Sequence, residues 1–414
     1  MVKNAISIST TQKNIKKIVD LTLLNPKKFD KMKMSTILHI TKTNTTICIP
    51  MESDYYWLKV IQFVREKSKN WGNILSDDFI SNEIKNLILE LKTNKKKYLV
   101  IGKTVNKWIG NLKKIPVINF RFILPINNVD YRKDFDFGKV KLQKLTLTKL
   151  KKLAKFSNKI GHFSASNTLK DMIKFNKTEI YAILEIQAKD EEQGKILAEL
   201  NLNRLIHAMR LFDPPSGITD RYHHYPETKY HTLVVNLDTD TFVDPFESIH
   251  LNAHIWRTKS YWKKINPYWN KLSKFLFLDN PNELQSIILT GLFWYGDAGN
   301  EIKDNLSKFL KYTYGLETLV IFDNKYDKKT RMAERLAKIF SKSNKKNFQI
   351  YKNLIQQYYD VRSGAIHAGK LIVDSEDVGT TNQMLSGLIF EYIKFSKKYS
   401  DVKTMFKKEF SITI

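Results

Sequence analysis

From residue 282 to about residue 400, nearly every segment carries apolar residues at three- and four-residue spacing, and no other feature limits the fold of this chain so tightly. "NELQSIILTGLFWYGDAG", "NEIKDNLSKFLKYTYGLETLVIF", "DKKTRMAERLAKIFS" and "NFQIYKNLIQQYYDVRSGAIHAG" each place an apolar stripe along one side of a helix, as Met332, Leu336 and Ile339 do in the third. A last helix, "TNQMLSGLIFEYIKFSKKY", closes the set. Such stripes must be covered. Four or five helices of this length with short connections predict an up-and-down bundle.

Upstream the pattern is mixed. Residues 1 to about 165 carry strand signals at "STILHI", "TTICIP", "KKYLVIG" and "PVINFRFILPI", helical runs over Tyr56 to Lys67 and Ser81 to Leu91, and a short basic helix in "LTLTKLKKLAKF". A second unit, residues 176–280, opens on a strand from Ile180 to Ile186. Asp190 then stands as N-cap of a helix in which Ile196, Leu197, Leu200, Leu202, Leu205, Ile206 and Leu211 fall at helical spacing. "DPPSG" stops that helix, and "YHTLVVNLDT" returns to strand. In "SYWKKINPYWNKLSKFLFL", Trp262, Trp269 and Phe275 alternate with lysines, which fits the buried side of an amphipathic helix better than a nucleic-acid surface. The expected class is α+β: a mixed α/β N-terminal region (1–165 and 176–280) followed by an all-α bundle (282–400).

The formal net charge is +27, from 69 Lys and Arg against 42 Asp and Glu, and only 10 of the cations are Arg. A codon bias toward A and T would enrich Lys, Ile and Asn, but it would enrich Glu as well. The residual basic excess favours a polyanionic partner such as nucleic acid. The Lys clusters do not face one clean apolar helical side, so a membrane surface fits less well. The chain has no apolar run of the roughly 18 residues that a membrane helix needs, and its N-terminus has no secretory h-region. Cys48 is the single cysteine, which leaves no internal disulfide and no cysteine-based zinc site. The expectation is a cytoplasmic protein without cofactor.

Two short stretches invite chemical readings. "LVIGKT" (99–104) looks like a strand entering a phosphate loop, but that loop needs Gly where Lys97 stands. "HLNAH" puts His250 and His254 at a spacing that suits two ligands on one helix face, with His223, His224, His231 and Asp244 nearby in sequence. Neither HExxH nor a convincing helix accompanies it, so ordinary histidines are the better reading and a metal-dependent hydrolase at His223 to His254 a minor alternative.

"YYDVRSGAIHAGK" (358–370) sets Arg362 and His367 five positions apart. Chance supplies roughly 0.2 such pairs at one fixed spacing in a chain of this composition, so the spacing alone is weak. Five residues turn a helix by about 500°, which leaves the two side chains about 140° apart and off a common face. They can line one groove if Gly364 relaxes the helix, or if two copies meet across a two-fold axis, with Gly369 as the C-cap just beyond. The chemistry that suits the pair is metal-free RNA cleavage. A histidine titrating near neutrality moves a proton at the ribose 2′-OH or the leaving oxygen, while an arginine holds the phosphate as charge develops.

"YYDVRSGAIHAG" resembles the R-x4-6-H motif of HEPN ribonucleases, in particular the prokaryotic ApeA-like HEPN domains. "FWYGDAGNEIKDNLSKFLKYTYGLETLVIF" is similar to their early helices, with an LE-x-L pattern matched at Glu317. The resemblance covers about residues 285 to 400. It implies a helical bundle that dimerises to form a shared, metal-independent endoribonuclease cleft, in proteins that act as toxins or in abortive antiphage defence. It makes Arg362 and His367 catalytic, with Ser363 beside them, and Glu317, Tyr359 and Asp360 supporting. The partners it implies are RNA (tRNA included), a second copy of the chain, and a phage-encoded trigger or an antitoxin. Two departures stand: Ser363 follows the arginine where many members have Asn, Asp or His, and Ala368 separates His367 from Gly369. A non-catalytic HEPN module that binds RNA or protein is the alternative.

Overall fold

The structure is a computed structural model that describes residues 7–24, 34–40, 45–69, 71, 74–94, 97, 99–129, 135–153, 180–212, 230–239, 241–248, 252–255, 267–299, 301, 304–322, 327–342, 344–368 and 372–413. The chain is of α+β class, mostly helical with a smaller β component. It divides into two compact units, each discontinuous in sequence: Met1–Phe122 with Glu185–Ala198 and Val234–Val243, and Ile123–Leu184 with Glu199–Leu233 and Asp244–Ile414.

In the first unit, helices α1 (Ile8–Leu21), α2 (Asp54–Lys69), α3 (Asp77–Thr93) and α4 (Ile101–Lys114) share one core. Ile15 and Ile18 meet Phe63 and Val64, Ile84 and Ile88, and Trp108 there. Ser7 and Ser76 start α1 and α3 by accepting the amides of Thr10 and Phe79, both at 3.1 Å. Strands β1 (Leu23–Leu24), β2 (Met34–Ile40) and β3 (Thr45–Pro50) form an antiparallel sheet in the order β1-β3-β2. "STILHI" and "TTICIP" are thus strands, as the sequence suggests. The described residues of "KKYLVIG" form no strand: α4 starts at Ile101, and Leu99 is 81 % exposed. The stripe Val105, Trp108 and Leu112, all buried, outweighs the short-range β preference of the residues before it.

The second sheet has the order β10-β9-β4-β8-β7-β6, with β4 Ile118–Pro125, β6 Phe135–Asp136, β7 Val140–Lys144, β8 Ile180–Ala188, β9 Tyr230–Asn236 and β10 Thr241–Ser248. β7 pairs antiparallel with both β6 and β8. β5 (Asn127–Val129) and β11 (Asn252–Ile255) form a separate parallel pair. Helix α5 (Leu147–Leu153) lies within the short basic run the sequence marks. Helix α6 (Glu191–Phe212) begins where expected, because Asp190 Oδ1 accepts the Gln193 amide at 2.8 Å. Phe275 is buried; Trp262 and the stop signal "DPPSG" lie outside the described residues.

The helical part of the second unit comprises α7 (Glu283–Ala298), α8 (Asn305–Val320), α9 (Lys328–Ser341), α10 (Lys345–Ala368), α11 (Ser375–Phe395) and α12 (Val402–Phe410). All six starts are capped by an Asp or Asn side chain: Asn282, Asp304, Asp327, Asn344, Asp374 and Asp401. The sequence reading misses α12, whose nine residues carry only Val402, Met405 and Phe406 as a buried face. Met332, Leu336 and Ile339 of α9 are buried as their spacing predicts.

α8 is central, packing on α7, α9, α10 and α11. Phe309, Leu316, Leu319, Leu388 and Tyr392 are each at most 1 % exposed. At about 1.5–3 kcal/mol per fully buried large apolar side chain, this contact set dominates the helical core. Gly315 makes the close approach possible, since a Cβ there would lie 2.6 Å from Leu385 Cδ2 on α11. The C-terminal carbonyls of α8 are satisfied from outside the helix: Tyr392 Oη donates to Leu319 O and Arg335 Nη1 to Val320 O, each at 2.5 Å. Among the described residues no helix is long and apolar enough to cross a membrane.

Candidate active site around Arg362

α8 carries the side chain that meets Arg362. Nη2 of Arg362 lies 2.8 Å from Oε2 of Glu317, and the two side chains are only 16 % and 15 % exposed. The guanidinium is also flanked by two phenol rings, Tyr314 of α8 with its centroid 4.8 Å away and Tyr359 of α10 at 5.3 Å. Both rings follow from helical register. Tyr314 stands three residues before Glu317, and Tyr359 three before Arg362, so each shares a face with the charge it serves. Anchoring the end of α8 through Tyr392 and Arg335 holds Glu317 in place, because the carboxylate sits within the last turn.

Glu317 serves two cations, since Lys328 Nζ approaches its Oε1 at 3.4 Å. Arg362 Nε and Glu317 Oε2 are buried and make no well-directed hydrogen bond. The contact between the two residues is therefore an ion pair of short distance and poor hydrogen alignment. Leaving a buried polar atom unsatisfied costs about 1–3 kcal/mol, and cation–π contact with two rings returns about 0.5–2 kcal/mol. The guanidinium packs against the two rings and lines a cleft. That cleft, about 400 Å³, is lined by Trp294, Tyr314, Glu317, Thr318, Lys328 and Arg362. Aromatic walls with two cations fit a phosphate and an adjacent flat base.

The other residues marked by the sequence are placed as follows. Ser363 is half-buried and makes no hydrogen bond among the described residues. Asp360 does not join the cleft: it pairs with Lys329 of α9 at 2.6 Å and is 62 % exposed. His367 lies on the last turn of α10; its side chain, and Gly369 beyond it, lie outside what the structure describes. Sequence reasoning missed Trp294, Tyr314, Thr318 and Lys328. Tyr314 could have been found from its place one turn before Glu317, whereas Trp294 and Lys328 come from other helices and leave no such trace.

The histidine region gives no support to a metal centre. His254 sits in strand β11, so it cannot share a helix face with a residue four positions earlier, and His231 and Asp244 sit in β9 and β10. His223, His224 and His250 lie outside the described residues. Among the described residues no group of three or more His, Cys, Asp or Glu side chains is arranged to hold a metal ion. In comparisons with known proteins, the chain matches no family model, no curated protein and no solved structure.

Proposed function

We propose that the chain is a metal-independent endoribonuclease of the HEPN type, its helical part an up-and-down bundle that pairs with a second copy. The observation that carries this reading is Arg362, held by Glu317 and two tyrosines at the wall of a cationic, aromatic cleft, on the helix whose last turn bears His367. In the reaction, the ribose 2′-oxygen attacks the adjacent phosphorus as His367 takes its proton. The P–O5′ bond breaks, leaving a 2′,3′-cyclic phosphate and a 5′-hydroxyl. Arg362 holds the non-bridging oxygens as negative charge builds. One histidine cannot accept and donate a proton in the same step. Two copies meeting across a two-fold axis would supply both, which is the physical reason for a dimer.

The biological role that accompanies this activity is that of a toxin or abortive-infection effector in antiphage defence, in the cytoplasm, with tRNA among its RNA targets. The N-terminal region would sense a phage-encoded trigger or restrain the nuclease, as an antitoxin could. A second reading has its own support: Arg362 is largely buried and paired within its own chain, as in a HEPN module that binds RNA or protein without cutting it. The two are separated by incubating RNA with the wild type, Arg362→Ala and His367→Ala in the presence of a chelator. Cleavage by the wild type and its loss in both variants fits the nuclease; binding without cleavage by all three fits the module.

A further inference from the structure

A second cavity, of about 540 Å³, opens between α6 and α7 and has no part in the Arg362 cleft. Two helical faces build it. Leu200, Asn203, Arg204 and His207 stand at positions i, i+3, i+4 and i+7 of α6; Ser286, Leu289, Thr290, Phe293 and Asp297 stand at i, i+3, i+4, i+7 and i+11 of α7. The volume falls within the roughly 300–1,000 Å³ of small-molecule sites.

His207 is the least expected member. It is 5 % exposed, and the α7 backbone lies directly on it: a Cβ on Gly296 would come within 2.1 Å of its Cγ. Arg210 braces the same place by donating to Gly296 O at 2.6 Å. Burial, helped by the Arg210 charge and opposed by Asp297, pushes the imidazole down to about 4, so at neutral pH it is uncharged and offers one donor and one acceptor. Neither ring nitrogen forms a hydrogen bond among the described residues. Among the described residues its one ring contact is edge-on to Phe293, at 5.9 Å between centroids.

The remaining wall is equally selective. Arg204 is half-buried; among the described residues its guanidinium makes one long hydrogen bond, to Leu276 O at 3.5 Å, and the Asp279 charge acts on it. The Thr290 and Ser286 hydroxyls donate to Ser286 O and Pro281 O at 2.9 and 3.4 Å, so both present lone pairs to the cavity. Phe293 is 49 % exposed and, with Leu200 and Leu289, gives a flat apolar surface. Asp297, held by Lys311 at 2.8 Å, acts on His207 from the same wall.

We propose that this cavity binds a nucleoside monophosphate. The base lies along Phe293 with its edge on His207 and Asn203, the phosphate meets Arg204, and sugar or amino donors meet Ser286, Thr290 and Asp297. A flat heterocycle uses the neutral imidazole as an anion or an aliphatic chain would not, and the desolvated guanidinium asks for the anion. The site stands whether or not the chain cuts RNA.

The test is calorimetric titration of the full-length chain with AMP, GMP, CMP and UMP, with adenosine and inorganic phosphate as the two halves of the ligand. At least one mononucleotide should bind at one site per chain, and more tightly than either half. Arg204→Gln should weaken it about tenfold or more, and Phe293→Ser should weaken nucleotide and nucleoside alike; both side chains are exposed enough to replace with the fold kept, which circular dichroism checks. Asn203→Leu, at a half-buried position, is the third arm and should lower affinity for every base. Saturation by none of the four nucleotides, affinity unchanged in all three variants, or inorganic phosphate binding as tightly as the nucleotide would each overturn the proposal.

Discussion

Arg362 and Glu317, on two different helices, meet as an ion pair at 2.8 Å with both side chains more than four-fifths buried. Removing one partner of such a pair leaves the other charge in a poor solvent, and for fully buried pairs that costs about 3–5 kcal/mol. Here Lys328 also touches Glu317 and the cleft admits water, so we expect Glu317→Ala to destabilise the chain by about 1–3 kcal/mol. RNA cleavage should fall with it, because Arg362 loses its anchor. Urea unfolding and a cleavage assay on the same preparation test both halves.

The two rings around the guanidinium should matter through their faces and not their hydroxyls. Tyr359→Phe should change stability by less than about 0.5 kcal/mol, and Tyr314→Leu should cost about 1 kcal/mol and lower RNA affinity. Equal effects of both substitutions in thermal unfolding would contradict this.

Asp360 makes the opposite case. Its pair with Lys329 is solvent-exposed on both sides, so Asp360→Asn should move stability by less than about 0.5 kcal/mol and leave cleavage intact, as activity and unfolding midpoints can show.

His207 ties stability to pH. Its folded value of about 4 lies below its ordinary 6.5, so between these values the unfolded chain binds a proton that the folded chain refuses. Its contribution is complete above pH 6.5, declines as the pH falls toward 4, and amounts to about 3 kcal/mol by that linkage. Arg210 and Asp297 are the charges that face it. Unfolding free energies from pH 4.5 to 7.5 should fall more steeply for the wild type than for His207→Asn.

How much of this could be read from the chain depended on the range of the signal. Helical spacing located Met332, Leu336 and Ile339, and a single N-cap preference located Asp190, because both are local properties. "LVIG" misled for the same reason: four residues of β preference say nothing about the stripe of Val105, Trp108 and Leu112 that follows. The meeting of Glu317 with Arg362, the Trp294 wall, and the seat of His207 against Gly296 are tertiary facts. No single window of sequence holds both partners. The interleaving of the two units is of the same kind, since it is made by segments that return to a distant part of the chain.

The central claim is cleavage by the ribose hydroxyl with Arg362 on the phosphate and His367 on the proton. It is tested most directly by one RNA that the wild type cuts, synthesised again with a single 2′-deoxy nucleotide at the cut position and incubated in chelator with the wild type, Arg362→Ala and His367→Ala. The account predicts that the wild type leaves a 2′,3′-cyclic phosphate on the all-ribose RNA and spares the deoxy-substituted bond, and that both variants are inactive. Cleavage at the deoxy position, or undiminished cleavage by His367→Ala, would contradict it.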